Sequence, residues 1–294
     1  MDSSDLRVFE AVARLGGMSR AAAELNTVQS NVTARIRLLE AEIGTALFRR
    51  HSRGVEPTEA GNRLLPYAVG IARLLAEAKR AARDDGRPEG RLVVGALETT
   101  AAIRLSPVLA TYAARHPAVD LVLRTGTTAE LIAEVLAHRL EGAFVCGPVD
   151  HPDLLAEPVF HEELVLLTAP AAEPGALLAA GDVRIVVLRA GCSYRQRLEE
   201  VLARRGLVGL RRLEFGTIEA IVGCVAAGLG VTLLPRAIVD VAQQGGRVAV
   251  HRLPEAEGRV ATVFIRRRDA ATSSALRAFL DVARPVVPLE QAAE

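Results

Sequence analysis

A polar, turn-rich segment at residues 84–90 divides this chain into two parts with different sequence periodicity. Before the segment, apolar residues recur every three or four positions, as in amphipathic helices. After it, short apolar runs alternate with helix-like segments, as in α/β folds. The chain has 294 residues, of which 50% are hydrophobic, so each part can bury a core of its own. The sequence therefore predicts a helical N-terminal part followed by a larger α/β part.

The first 60 residues predict three short helices and a hairpin. The first helix ends at the pair Gly16-Gly17, and Ser19 can cap the second helix. The third helix ends at Gly44 and has one apolar stripe, which packs inward. A hairpin, or wing, can follow at residues 48–55, and this order is that of a winged helix-turn-helix. The stripe of the third helix consists of Val28, Val32, Ile36, Leu39 and Ile43.

The outer face of the third helix carries side chains that can hydrogen-bond to DNA bases. Gln can pair with adenine, Ser and Thr can serve several bases, and Arg can reach guanine or phosphate. The same residues also fit a solvated helix face, because polar outer faces are common. The residues on this face or in the first turn of the helix are Gln29, Ser30, Thr33, Ala34 and Arg37.

The distribution of charge favours the DNA interpretation. The whole chain has 36 Lys and Arg against 35 Asp and Glu, which excludes a uniformly basic nucleic-acid binder. Residues 27–55, however, hold five Arg against two Glu, whereas residues 1–26 hold three Arg against four acids. With 7 Phe, 3 Tyr and no Trp, the chain has few aromatic side chains for stacking on single-stranded bases. The basic wing residues that can hold phosphates are Arg49, Arg50, His51 and Arg53.

A long helix is expected after the wing. Pro57 favours an extended residue before it, and Thr58 can cap the helix. Pro66 should bend the helix near its start. Apolar residues recur along the helix at a spacing near 3.5 residues, which favours pairing with a second helix. This seam consists of Leu64, Ala68, Ile71, Leu75, Ala78 and Ala82.

The C-terminal part repeats one order of strands and helices, which predicts two α/β lobes of similar plan. In the first lobe, strands at 92–97, 119–124 and 142–146 alternate with helices at 99–115 and 128–139. In the second lobe, strands at 183–188, 211–215 and 231–234 alternate with helices at 193–205 and 217–227.

Two helix starts, at residues 97–100 and 190–195, follow corresponding strands of the two lobes. Both lie at the carboxyl ends of strands, where helix N-termini present free N–H groups suited to a carboxylate or another small anion. An ordinary capping role for Thr99, Thr100 and Ser193 explains the same residues without a ligand. The residues alone leave both interpretations open.

Other classes of site and location are disfavoured by the sequence. Cys146, Cys192 and Cys224 are too few and too widely spaced for a disulfide scaffold or a zinc cluster. Cys192 could have a lowered pKa at its helix start, but a quiet small residue is the favoured interpretation. Neither a secretory signal nor a membrane span is recognisable, so a cytoplasmic protein is expected. No cofactor, metal site or catalytic motif is predicted.

Several segments resemble LysR-type transcriptional regulators. The similarity is carried by residues 21–25, 28–40, 44–50 and 57–61 and, in the C-terminal part, by residues 219–235. The resemblance implies a multidomain fold, α plus α/β, with a winged helix-turn-helix at 1–58, a dimerisation linker helix and hinge at 59–90, and a two-lobed α/β effector-binding domain at 91–294. Lobe 1 would comprise about 91–161 and 268–294, and lobe 2 about 162–267.

The resemblance also implies a function. The chain would be a sequence-specific DNA-binding regulator rather than an enzyme, and would need no cofactor. Its partners would be double-stranded operator DNA, further copies of the chain in dimers and tetramers, RNA polymerase, and a small, anionic metabolite bound between the lobes. DNA contacts are expected from Ser19, Arg20, Gln29, Ser30, Thr33, Arg35, Arg37, Arg50 and Arg53. Effector contacts are expected from Thr99, Thr100, Cys192, Ser193, Phe215 and Thr217.

Two positions depart from the family pattern. Many relatives have Thr at the position of Val28 and Arg at that of Ala34. Thr27 could replace the missing helix cap, and Arg35 or Arg37 the missing DNA contact.

Three other functions stay open from the sequence: a two-lobed solute-binding protein, an enzyme that uses the cleft, and a DNA binder without an effector. The N-terminal 90 residues disfavour the first, and the lack of a base, nucleophile or metal set disfavours the second. Ligand binding by the C-terminal part would exclude the third function, a DNA binder without an effector.

Overall fold

The computed structural model describes residues 1–51, 54–172 and 183–284. The chain forms two compact units, Met1–Asp84 and Asp85–Glu294. No helix among the described residues is both long and apolar enough to cross a membrane.

The N-terminal unit has the helices and the hairpin that the sequence predicts. The helices α1 to α3 pack around a core that includes Phe9, Val32, Ile36 and Leu39. The strands β1 and β2 form an antiparallel hairpin, in which Phe48 lies opposite Pro57. The elements are α1 (Ser3–Leu15), α2 (Met18–Glu24), α3 (Gln29–Ile43), β1 (Phe48–His51), β2 (Gly54–Pro57) and α4 (Glu59–Arg83).

Glycines and short polar side chains set the ends of these helices. Gly16 and Gly44 end α1 and α3 in the left-handed conformation, with φ of 64° and 78°. The Thr58 hydroxyl accepts a hydrogen bond from the N–H of Gly61 at 3.1 Å, so the predicted cap of α4 is confirmed. Gly17 precedes α2, and Ser19 lies within its first turn, so the predicted capping role of Ser19 is wrong.

The predicted apolar stripe of α3 is shorter than expected. Val32, Ile36 and Leu39 are buried, but Val28 and Ile43 are exposed. Val28 is the N-cap and Ile43 the last residue of the helix. Both ends of the stripe therefore project beyond the core of the unit.

The C-terminal unit is built on a seven-stranded mixed sheet and a two-stranded parallel sheet. In the larger sheet the order is β10-β6-β11-β5-β3-β4, and β9 also pairs with β6. The strands are β3 (Gly90–Ala96), β4 (Val119–Thr125), β5 (Gly142–Cys146), β6 (Leu154–Thr168), β7 (Arg184–Leu188), β8 (Arg211–Phe215), β9 (Thr232–Pro235), β10 (Ala249–Arg252) and β11 (Arg259–Arg267).

The helices of this unit flank the sheets. The predicted helix at 99–115 is interrupted by a π-helical turn, Ala101–Leu105, between α5 and α6. The helices are α5 (Glu98–Thr100), α6 (Ser106–Arg115), α7 (Thr128–Leu136), α8 (Ser193–Ala203), α9 (Ile218–Ala226), α10 (Arg236–Gln244), α11 (Glu255–Gly258) and α12 (Ser274–Ala283).

One long strand, β6, connects the lobes. The first part of β6 pairs with β11, and its last residues pair with β9 and β10. One hydrophobic cluster spans both lobes and includes Leu131 and Val145 from lobe 1 and Tyr194 and Leu198 from lobe 2. The lobes therefore share a strand and part of a core.

Candidate functional sites

The start of α3 and the neighbouring turn of α2 present an exposed polar surface. Ser19, Gln29, Ser30 and Arg37 are exposed, and Thr33 is partly exposed. The Ser19 hydroxyl donates to Oε1 of Gln29 at 3.1 Å, which joins the starts of the two helices. The predicted DNA-contact residues Ser19 and Gln29 are thus in contact, and Ser30 follows Gln29 at the exposed start of α3.

The arginines predicted to contact DNA differ in their surroundings. Arg35 donates to the Ser4 hydroxyl at 2.7 Å and to the Asp5 carboxylate at 3.1 Å, which ties α3 to α1. Arg20 donates to the carbonyl oxygen of Gly16 at 3.0 Å and is exposed. Arg37 is exposed and has no hydrogen bond or ion pair within the described part of the chain. Arg50 lies in β1, and Arg53 lies outside the described residues.

The N-cap position of α3 is held by Val28, whose side chain makes no capping hydrogen bond. The Thr27 hydroxyl accepts from the side-chain amide of Asn31 at 3.0 Å, so the suggestion that Thr27 replaces the cap is wrong. The first backbone N–H groups of α3 therefore face outward without a side-chain partner of this kind.

Glu40 connects α3 to the chain that enters the wing, although the sequence indicates only its charge. Its carboxylate accepts from the N–H groups of Leu47 and Phe48, at 2.8 and 3.1 Å. These two residues lead into the wing. Glu40 thus positions the wing relative to α3, a role that depends on tertiary contacts and leaves no local signal in the sequence.

A cavity of about 230 Å³ lies where the two lobes of the C-terminal unit meet. Lobe 1 contributes the start of α5 and the turn between β4 and α7, and lobe 2 contributes the end of β7 and the start of α8. The lining residues are Leu97, Glu98, Thr99, Thr125, Gly126, Thr127, Leu188, Arg189, Cys192, Ser193, Tyr194 and Gly216.

Hydrogen bonds join the two walls of the cavity. The Ser193 hydroxyl donates to Oγ1 of Thr128 at 2.8 Å. The hydroxyls of Thr99 and Tyr194 lie 3.3 Å apart, and both side chains are buried. At the edge, Arg189 donates to the Glu130 carboxylate at 3.2 Å. A change in the distance between the lobes must alter these contacts.

The polar side chains at the starts of α5 and α8 do not act as N-caps. The helices α5 and α8 begin after Leu97 and Cys192, and neither N-cap side chain makes a capping hydrogen bond in the described structure. The capping interpretation of Thr99, Thr100 and Ser193 is therefore wrong. The start of α8 keeps N–H groups that can donate to a ligand.

Three of the six predicted effector residues line the cavity: Thr99, Cys192 and Ser193. The cavity lining in the described structure includes neither Thr100, which is buried, nor Phe215, which packs on the core of lobe 2. It also omits Thr217, whose hydroxyl caps α9 by accepting from the N–H of Ala220 at 3.4 Å. Gly216 between them does line the cavity.

The cavity has charged and aromatic residues that the sequence analysis did not select: Glu98, Arg189 and Tyr194. Glu98 and Tyr194 belong to the two predicted helix starts, so their place in those segments was the available signal. Burial raises the pKa of Glu98, and the nearby Glu219 carboxylate raises it further, whereas Arg189 lowers it.

The cysteines near the cavity have unreactive surroundings. Burial raises the pKa of the Cys192 thiol, and it raises the pKa of Cys146 to about 11. Both thiols are therefore protonated at neutral pH. This agrees with the interpretation of Cys192 as an unreactive residue and argues against a lowered thiol pKa at the helix start.

Two protein-family models match the chain. Residues 3–62 match a bacterial regulatory helix-turn-helix protein of the lysR family, and residues 85–288 match the LysR substrate binding domain. The chain is 47% identical over 290 residues to the uncharacterized HTH-type transcriptional regulator YusT of Bacillus subtilis (strain 168), covering 99% of this chain and 98% of YusT. It is 45% identical over 278 residues to the HTH-type transcriptional regulator GltR of the same strain, covering 94% and 93%.

Solved structures share the fold. Full-length CbnR, solved in complex with its target DNA, matches with a TM-score of 0.65 at 23% identity. The match covers 98% of this chain and 100% of the CbnR chain. ArgP from Mycobacterium tuberculosis has a TM-score of 0.66 at 19% identity, with 97% of each chain covered.

Proposed function

This chain belongs to the LysR family of DNA-binding transcriptional regulators, which are not enzymes, and on that premise we propose how its two units act. The proposal is that α3 and the wing bind operator DNA, and that a small effector with an anionic group binds in the cavity between the lobes. The observation that carries the effector proposal is the cavity itself, whose lining includes the start of α8, a helix without a side-chain cap.

DNA binding is proposed for the exposed surface of α2 and α3. Gln29 and Ser30 lie in the first turn of α3, and Arg37 lies two turns further along the exposed side. Side chains of these types hydrogen-bond to base edges in the major groove. The uncapped N–H groups at the start of α3 can donate to phosphate. The DNA-bound CbnR structure, which shares the fold, supports the same general mode for this chain.

Replacing Arg37 by alanine should weaken specific operator binding by about 1–3 kcal/mol, roughly 5- to 150-fold, if Arg37 contacts a base. Fluorescence anisotropy with the operator and with a scrambled duplex would measure the loss. Arg7→Ala removes an exposed arginine from α1 and is the matched control. An equal loss on both duplexes, with a smaller salt dependence, would make Arg37 a phosphate contact.

The anionic part of the effector is proposed to bind at the start of α8. Its N–H groups and the positive end of the helix dipole favour a carboxylate or another small anion. Arg189 lies on the same side of the cavity and adds positive charge. The volume of about 230 Å³ suits a small metabolite, because pockets for drug-sized ligands have roughly 300–1,000 Å³.

Filling the cavity should remove the effector response without unfolding the chain. Gly216 lines the cavity and no described atom lies within 4 Å of a Cβ added there, so Gly216→Leu can add a large side chain at the cavity wall without a clash at Cβ. Thermal shift with a panel of small carboxylates, sulfate and phosphate should raise the Tm of the wild type and not that of this variant. Gly223→Leu, on α9 outside the cavity, should respond like the wild type. An unchanged response in Gly216→Leu would move the ligand site elsewhere.

Self-association is proposed through the exposed apolar side of α4. Tyr67, Ile71, Leu74 and Leu75 are all exposed within the N-terminal unit. Burying such a face against a second copy is favourable because apolar area leaves water. A dimer formed in this way pairs two DNA-binding surfaces, and two dimers give the tetramer proposed for the DNA-bound state.

The combined variant Ile71→Glu and Leu75→Glu should dissociate the oligomer. Buried carboxylates would disrupt the apolar contact, so we expect the dissociation constant to rise by roughly 100-fold or more. Sedimentation velocity over a concentration series would measure this change. Arg80→Glu lies on the opposite side of the helix from Ile71 and makes the same change in net charge, so its oligomeric state should stay that of the wild type. Equal behaviour of the two variants would contradict an interface on this side of α4.

Coupling between the sites follows from thermodynamics. An effector alters operator binding only if it binds one arrangement of the lobes more tightly than another, typically by about 1–3 kcal/mol. The contacts between Ser193 and Thr128 and between Thr99 and Tyr194 are the ones that such a difference would act on. The resulting change in the geometry of the oligomer on DNA is the step proposed to alter contact with RNA polymerase.

A further inference from the structure

Glu98 is a feature of the cavity that an anionic ligand alone does not explain. It is the first residue of α5, is partly buried and lines the cavity. Within the described ranges its carboxylate has no hydrogen bond or ion pair. A carboxylate in this position repels an anion and attracts a cation at the same short distance.

The charges around Glu98 leave the site negative. Arg189 is the other charged residue of the cavity lining, and its guanidinium already pairs with the Glu130 carboxylate at 3.2 Å. Glu219, at the start of α9, is close enough to raise the pKa of Glu98. Glu98 therefore has a second carboxyl group nearby, and the one guanidinium of the cavity lining is already paired with Glu130.

The opposite wall of the cavity, formed by the start of α8, favours an anion. The start of α8 presents N–H groups from Ser193 onward, and its N-cap side chain makes no capping hydrogen bond in the described structure. The Ser193 hydroxyl itself is used in the contact with Thr128. One wall of a small cavity thus attracts an anion while the other attracts a cation.

We propose that the effector is a small amino acid, whose ammonium group is bound by Glu98 and whose carboxylate is bound at the start of α8. This inference rests on the proposed function and specifies the ligand class of the same cavity. Glu98 is then the residue that separates amino acids from simple carboxylic acids, because an ammonium group supplies the donors that its carboxylate lacks.

The test uses the full-length protein and matched ligands. The proteinogenic L-amino acids are screened by thermal shift, and each that binds is titrated by calorimetry beside its deaminated acid and its decarboxylated amine. For L-leucine these are 4-methylpentanoate and 3-methylbutylamine. The variants are Glu98→Gln, which keeps the shape and removes the charge, and the control Glu219→Gln, which lies outside the cavity lining. Circular dichroism checks that both variants are folded.

We expect at least one amino acid to bind, and removal of its amino group to weaken binding roughly 10- to 100-fold. Glu98→Gln should weaken binding of the amino acid by a similar factor. It should change the affinity for the deaminated acid by no more than about twofold, because only the ammonium contact is lost. Glu219→Gln should change either affinity by less than about threefold.

Two results would overturn the inference. The first is a deaminated acid that binds as tightly as the amino acid, together with an affinity for the amino acid that Glu98→Gln leaves unchanged. This result would leave the proposed anion site intact. The second is the absence of binding by every amino acid. If small anions also fail to bind the wild type, or bind Gly216→Leu equally well, the proposed function fails as well.

Discussion

Replacing Gly61 by alanine is expected to destabilise the N-terminal unit by about 3 kcal/mol and to remove most operator binding. A Cβ at this position would lie 2.3 Å from the carbonyl oxygen of Leu47 and 3.2 Å from Cβ of Pro57. The Leu47 oxygen accepts from the N–H of Thr58 at 2.9 Å, so it cannot move without loss of this bond. The clash would separate the first turn of α4 from the chain entering the wing.

Gly70→Ala is the matched control for this variant. Gly70 lies in the same helix, and no described atom lies within 4 Å of its added Cβ. Alanine is the better helix former, so we expect a gain of roughly 0.5–1 kcal/mol. Urea unfolding followed by circular dichroism gives the stabilities, and anisotropy with operator DNA gives the affinities. Similar stabilities for the two variants would show that the contact between α4 and Leu47 is not tight.

Replacing Arg104 by methionine is expected to destabilise the C-terminal unit by about 3–5 kcal/mol. Arg104 lies in the π-helical turn and donates to both carboxylate oxygens of Glu162 on β6, at 2.9 and 3.2 Å. The Glu162 side chain is only 5% exposed, whereas that of Arg104 is 32% exposed. The substitution leaves a buried carboxylate without its partner, and this loss of compensation is the main cost.

Two further variants separate the destabilisation caused by an unpaired buried carboxylate from the net contribution of the Arg104–Glu162 ion pair to stability. Glu162→Gln should lose less than about 2 kcal/mol, because Arg104 can still reach water. The double variant Arg104→Met with Glu162→Leu should recover most of the stability, since apolar replacements of a buried pair are often neutral. Urea unfolding of the wild type and the three variants gives the stabilities to compare. Equal losses for the two single variants would show that burial of Glu162 does not dominate.

The regular periodicity of the sequence predicted most helices and parallel strands. The predicted strands at 142–146 and 211–215 have the same bounds as β5 and β8. The long strand β6 was not predicted, and it contains Pro158, a residue type that normally argues against a strand interior. The structure accommodates Pro158 beside an irregular register of β11 between Thr262 and Val263.

The candidate sites were predictable only in part. Helical periodicity was enough to place Ser30 and Arg37 on the outer side of α3, since one buried stripe fixes the opposite face. The pairing of Arg35 with Asp5 was not predictable, because it depends on how α1 crosses α3. The charge around Glu98 likewise depends on Glu219, which only the folded second lobe brings near.

The continuity of β6 through both lobes limits how the lobes can move. A strand of 15 residues with hydrogen-bonded neighbours in each lobe cannot act as a loose joint. Rotation of one lobe must instead change the twist of the ribbon formed by β6 and β11, since paired strands in sheets are already twisted relative to one another. If the proposed effector rotates the lobes, we therefore expect a small rotation that the pairing of β6 with its neighbours opposes and reverses.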